Sequence, residues 1–271
     1  MGLLFILFPG FRANSLTYYS RNQFLKKLKT LGSVFCCENK IYDLNTKKID
    51  DIDVCDFNPK HYLETVYSQI MDTVPGAKTL EWIPIGHSLG GYQAVGFSQI
   101  YSRRCLACIL LDPLLFTKPN MDDIIPAFRS VLELKYYGSA KITQKILRDT
   151  REQIKTATKT QRQYYIDYLQ YVYAFQLTKW TMQNITGTPF KTPVYSYINI
   201  TEPEKPHVLL NPKEQVFFDP FFTNARKLVE VSILDSDPHF HFQAYLNQTH
   251  HLLHIPDIIK TVKNISGLGK K

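Results

Sequence analysis

Gly86-His87-Ser88-Leu89-Gly90 spells G-x-S-x-G, and its flanks decide what those five residues can do. Thr79 to Ile85, just before it, is a short apolar run that reads as a buried strand, and Gly91 to Phe97, just after it, reads as a helix. A strand, a sharp turn centred on serine, then a helix strains the serine backbone and lifts its hydroxyl above the sheet edge. The glycines let strand and helix approach closely. The amides opening the helix favour negative charge developing beside them. The chemistry this points to is nucleophilic attack by the Ser88 hydroxyl. Such a hydroxyl is a weak nucleophile until a base takes its proton, usually a histidine oriented by a carboxylate.

The run Gly86-His87-Ser88-Leu89-Gly90-Gly91 resembles the serine nucleophile of the α/β-hydrolase superfamily, whose lipases and esterases commonly carry this spelling. The resemblance implies a chain order of serine, acid, histidine, with the histidine beyond the last strand. Lys227 to Leu234 reads as that strand, and the loop after it carries Asp235, Asp237, His239 and His241. His239-Phe240 resembles the His-Phe of many family members, which makes His239 the expected base and His241 the alternative. His250, His251 and His254 fall within a predicted C-terminal helix, 242–262. Their spacing could bind a metal, but no carboxylate motif accompanies them, and they read as a solvated helix face.

For the acid, Asp112 stands in Leu-Asp-Pro, directly after the strand that follows the nucleophile helix. Some family lipases and esterases carry the acid there. Most members carry it after the next strand, where this chain offers Glu202 and Glu204 and no aspartate. Asp112 is the expected acid and the two glutamates are the alternatives; Asp219, Asp235 and Asp237 are outside choices. The resemblance also implies an oxyanion hole of two backbone amides, one from Leu89 and one from Phe11. Pro9-Gly10-Phe11 matches the family's His-Gly-x turn, with Pro9 in place of the histidine.

These residues need a scaffold that gathers strand ends. Leu3 to Phe8 reads as a buried parallel strand, Ser15 to Leu31 as an amphipathic helix, and Ser33 to Cys37 as a second strand. A helix from Asn58-Pro59 to Pro75-Gly76 leads into the serine strand, and Cys105 to Leu111 reads as the next strand. Alternating strands and helices predict an α/β fold, a mostly parallel sheet with helices on both faces. The alternation stops between 114 and 192, where the pattern gives helices at 124–134, 141–158 and 160–180 and no strand. A crossover needs only about a dozen residues, so this stretch reads as an inserted helical cap. The expected organisation is a core of 1–113 and 193–271 around a cap of 114–192, and the strand count is about six.

The chain has 271 residues, is 44% hydrophobic and carries a formal charge of +8. The charge is scattered, without the basic run that nucleic acid would require. Five cysteines in no metal or redox pattern read as reduced thiols of a cytoplasmic protein. The apolar opening, Met1 to Phe8, lacks the basic flank and cleavage pattern of a signal peptide. No apolar run reaches the ~18 residues of a membrane span.

The expected activity is hydrolysis of an ester or thioester through an acyl-enzyme. The substrate is a small ester or lipid-like molecule with a hydrophobic acyl or alkyl group, as the aromatic cap suggests. No cofactor or metal is expected. Three other readings share the sequence: a catalytically inactive binding protein of the same fold, an amidase, peptidase or acyltransferase, and a membrane-surface lipase.

Overall fold

The computed structural model describes residues 2–10, 15–37, 59–113, 156, 158, 180, 190–200, 237–246 and 253–268. Its centre is one sheet of six strands in the order β2-β1-β3-β4-β5-β6, every neighbouring pair parallel. The strands are β1 (Leu3–Phe8), β2 (Ser33–Cys36), β3 (Glu81–His87), β4 (Cys108–Leu111), β5 (Val194–Ile200) and β6 (Phe240–Leu246). Helices α1 (Ser15–Tyr19), α2 (Phe24–Lys29), α3 (Pro59–Thr73), α4 (Gly90–Ile100) and α5 (Ile255–Ile265) cover its two faces. The predicted α/β class and parallel sheet are those observed, and the described residues supply six strands.

β1 shows why the sheet is parallel and buried. All six of its residues are apolar and all are buried. A strand covered on both faces needs no polar alternation. Its side chains nevertheless alternate between two cores. Leu3, Phe5 and Leu7 join Ile83, Ile85, Ile109 and Leu111 under α1, α2 and α5. Leu4, Ile6 and Phe8 join Trp82, Cys108, Leu110 and Phe97 under α3 and α4. Trp180 and Phe190, near the end of the predicted cap, pack against this second core. The rest of 114–189, apart from 156 and 158, lies outside the described residues, as do 201–236.

Three expectations are corrected. The helix predicted from Ser15 to Leu31 is broken, because Asn22 and Gln23 take positive φ of 52° and 61° between α1 and α2. Leu16 faces solvent. The strand predicted from Cys105 starts only at Cys108, and Cys105 makes an isolated bridge to Trp82. Cys105 and Cys108 therefore share one core. Both are buried free thiols, and burial pushes Cys108 up to about 12.

The largest correction concerns the C-terminal end. The predicted helix over 242–262 is a strand as far as Leu246, and the helix begins at Ile255. Pro256 dictates that start. Proline in a helix interior loses a hydrogen bond and clashes with the preceding turn, whereas in the first turn it fits. α5 places Pro256 there and buries Ile255, Ile258 and Val262.

Candidate active site

The chain order reverses between β1 and β3: β2 lies on one side of β1, and β3 and everything after it on the other. Open parallel sheets offer a crevice at the carboxyl ends of the strands where such a reversal occurs. Ser88 follows β3 and Gly10 follows β1, so topology alone selects the place that the G-x-S-x-G motif selects.

Ser88 has φ of +50°, a left-handed conformation that serine rarely adopts. The turn is locked on each side. A Cβ on Gly86 would lie 2.3 Å from the Gly90 carbonyl oxygen, and one on Gly90 would lie 2.4 Å from the Phe8 carbonyl oxygen. Both obstacles are backbone, so neither can yield. A Cβ on Gly10 would lie 3.3 Å from the Ser88 Cβ, which brings the turn after β1 against the nucleophile position. The Ser88 amide donates to Leu111 O at 3.1 Å and ties the elbow to β4. Ser88 is 9% exposed and Leu89 3%. Phe11, the other expected oxyanion donor, lies outside the described residues.

Asp112 follows β4 beside this elbow. It too has positive φ, 44°, and is 2% exposed. Its amide donates to Tyr197 O at 2.7 Å, and its Oδ1 accepts from the Asn199 amide at 3.2 Å. Beneath it, the Tyr18 ring stacks on His87 with centroids 4.0 Å apart. Burial, then the Asp112 charge, raises the Tyr18 hydroxyl pKa far above its ordinary value. Glu202 and Glu204, the alternative acids, lie outside the described residues.

The histidine is where sequence and structure part. His239 precedes β6 instead of following the last strand. Its carbonyl accepts from the Val194 amide at the start of β5, its amide donates to Asp237 Oδ1, and its Nδ1 bonds Phe190 O. Ser88 is level with Leu111, which pairs with Tyr197, which pairs with Gln243. His239 lies four residues before Gln243, just ahead of β6. That is ~13 Å along the strand and three strand spacings of about 4.8 Å across. The alternative, His241, is exposed on β6 and stacks on Tyr195 at 4.9 Å. The structure brings neither to Ser88. The expectation for His239 took Lys227 to Leu234, which lies outside the described residues, as the final strand.

His254, read from sequence as a solvated helix residue, instead sits at the start of α5, beyond the carboxyl end of β6. Its Nε2 bonds Asn199 Oδ1 at 2.6 Å and its ring lies flat on Tyr245. Tyr245 donates to Asp257 Oδ2 at 2.6 Å. Burial lowers the His254 pKa, outweighing Asp257 and Asp112, whose charges raise it. Asn199 gave no sequence signal at all. Pro256 gave one for His254, since it fixes the helix start just beyond that residue. Among the described residues no three His, Cys, Asp or Glu side chains gather to hold a metal. No described helix is long and apolar enough to cross a membrane.

No family model matches the sequence, and no curated protein is significantly similar to it. Solved structures do match. A protein of Mycobacterium tuberculosis H37Rv named as a non-heme bromoperoxidase is 10% identical, with a TM-score of 0.55 over 97% of this chain and 91% of its own. A meta-cleavage product hydrolase is 11% identical, with a TM-score of 0.53 over 99% of this chain and 92% of its own. A hydrolase of Oleispira antarctica is 11% identical, with a TM-score of 0.51 over 97% and 92%. Their names differ in chemistry while their fold is shared, so the likeness speaks to architecture. A six-stranded parallel sheet, a strained serine at its switch point and these neighbours agree: the chain has the fold of the α/β-hydrolase superfamily.

Proposed function

We propose that this protein is a serine hydrolase that cleaves an ester or thioester through an acyl-enzyme on Ser88. One observation carries the reading. Ser88 is held at φ +50° by glycine–backbone contacts that leave the turn no alternative. Strain of that kind costs of order 1–3 kcal/mol and persists where a side chain must be presented at a fixed point.

In this reading the Ser88 Oγ attacks the acyl carbon while a histidine takes its proton. The Leu89 amide and an amide of the turn after β1, Phe11, receive the oxyanion. Asp112 stabilises the imidazolium. The base comes from the segment beyond β6, which carries His250, His251 and His254. Of these, His254 is within the described residues and feels the Asp112 charge. The same imidazole then protonates the leaving group, and water activated by it releases the acid. Apolar and aromatic residues of 114–192 suit a hydrophobic acyl or alkyl group on the substrate.

Reaction with a fluorophosphonate probe followed by peptide mapping tests this. Labelling is expected at Ser88 and lost in Ser88→Ala. A chain that stays unlabelled while folded is a binding protein on a hydrolase scaffold. That rival is favoured by the position of His239, far from Ser88.

A further inference from the structure

The carboxyl ends of β4, β5 and β6 are joined by one residue, Asn199. Its amide donates to Asp112 Oδ1 at 3.2 Å, and its side-chain Oδ1 receives His254 Nε2 at 2.6 Å. Asn199 is 2% exposed and lies near the end of β5, paired with Tyr245. It thus holds a carboxylate with its main chain and an imidazole with its side chain. We propose that Asn199 is a positioning residue that fixes His254 in its Nε2–H tautomer and couples it to Asp112 beside Ser88. This rests on the reading of Asp112 as the acid of a Ser88-centred hydrolase.

The chemistry follows from what an amide oxygen can and cannot do. Oδ1 accepts only, so the shared nitrogen must carry the proton and Nδ1 is left as the basic atom. Being neutral, the amide orients the ring without adding charge. A carboxylate at the same place would orient it and also favour the imidazolium. Among the described residues, the charged or titratable groups that act on the ring are Asp257 on α5, Tyr245 on β6 and Asp112 after β4. Tyr245 supports the ring from one face and is itself held by Asp257. Tyr197 donates to Thr261 Oγ1 at 2.6 Å and fixes α5 against β5. The imidazole is therefore restrained through its face as well as through Nε2.

Nitrogen-detected NMR of the full chain, with His254 assigned by His254→Gln, reads the tautomer and the titration directly. The unmodified protein is expected to show the Nε2–H form of His254. Asn199→Asp is expected to raise its midpoint by roughly one to three pH units. Asn199→Ala is expected to release the tautomer and lower kcat by up to about 100-fold with KM little changed. Asp112→Asn is expected to lower the His254 midpoint, because a charge that raises it is removed. An Nδ1–H tautomer in the unmodified protein overturns the proposal. So does a His254 midpoint indifferent to both Asn199→Asp and Asp112→Asn. Asn199→Asp, nearly isosteric, covers the case in which the alanine variant fails to fold. Fluorophosphonate labelling of Ser88 is read on the same samples. Loss of labelling with the tautomer intact sinks the hydrolase reading alone, and labelling with the wrong tautomer sinks this one alone.

Discussion

His239 and His254 bracket the same strand. One stands just before β6 and the other just beyond it, and that difference sends them to opposite ends of the sheet. His239 is exposed and bound to main chain at the start of β5 and to Asp237. His254 lies at the strand ends with Asp112 and Asn199. In a parallel sheet every strand runs the same way, so a residue before a strand and a residue after it never share a site. Which strand a histidine follows therefore decides which end of the sheet it can reach.

The largest expected effect tests the end of the sheet itself. Ser88→Ala should lower turnover by roughly 10⁶-fold and abolish labelling, as loss of a triad nucleophile does elsewhere. Measured turnover within tenfold of the parent would move the chemistry away from the elbow. Next comes the histidine contrast. His239→Ala and His241→Ala should retain near-normal kcat/KM. At least one of His250→Ala, His251→Ala and His254→Ala should lose activity on the scale of Ser88→Ala. The opposite pattern would restore His239 and require β6 to be paired differently. Asp112→Asn should lower kcat by orders of magnitude, with Glu202→Gln and Glu204→Gln near the parent. A crippled glutamate variant beside an active Asp112→Asn would make Asp112 a structural residue.

A smaller effect concerns folding. Gly90→Ala drives a Cβ to 2.4 Å from the Phe8 carbonyl and should destabilise by about 1–3 kcal/mol or more in urea unfolding. Smallest is the pH dependence of stability from His254. Its folded-state pKa is below the ordinary 6.5. Between those two values the unfolded chain binds a proton that the folded protein does not, so stability falls as pH falls. The contribution is complete above about 6.5. The urea midpoint of the parent should drop more between pH 7.5 and pH 5 than that of His254→Gln. Equal drops would mean that His254 titrates as it does in the unfolded chain.

The fold was legible where residues repeat a simple demand. Leu3–Phe8 is apolar throughout because both its faces are buried, and Gly86 and Gly90 stand where only glycine fits. Asp112 was legible as a carboxylate at a strand end. The β6 region was not, because Phe240–Leu246 mixes apolar and polar residues in a pattern a helix also permits. Pro256 was the available correction, since a proline cannot lie deep inside a helix. Asn199 was invisible for a different reason. Its role comes from pairing β5 between β4 and β6, which no local pattern encodes.

The closed contact among Gly86, Gly90 and the Phe8 carbonyl has a consequence for redesign. Main-chain atoms alone set where the side chain at 88 departs, so its identity can change without moving its origin. Replacing the hydroxyl by a thiol, Ser88→Cys, is then a substitution of element and not of shape. Any difference in leaving-group preference between the two would report intrinsic nucleophilicity at a common starting point.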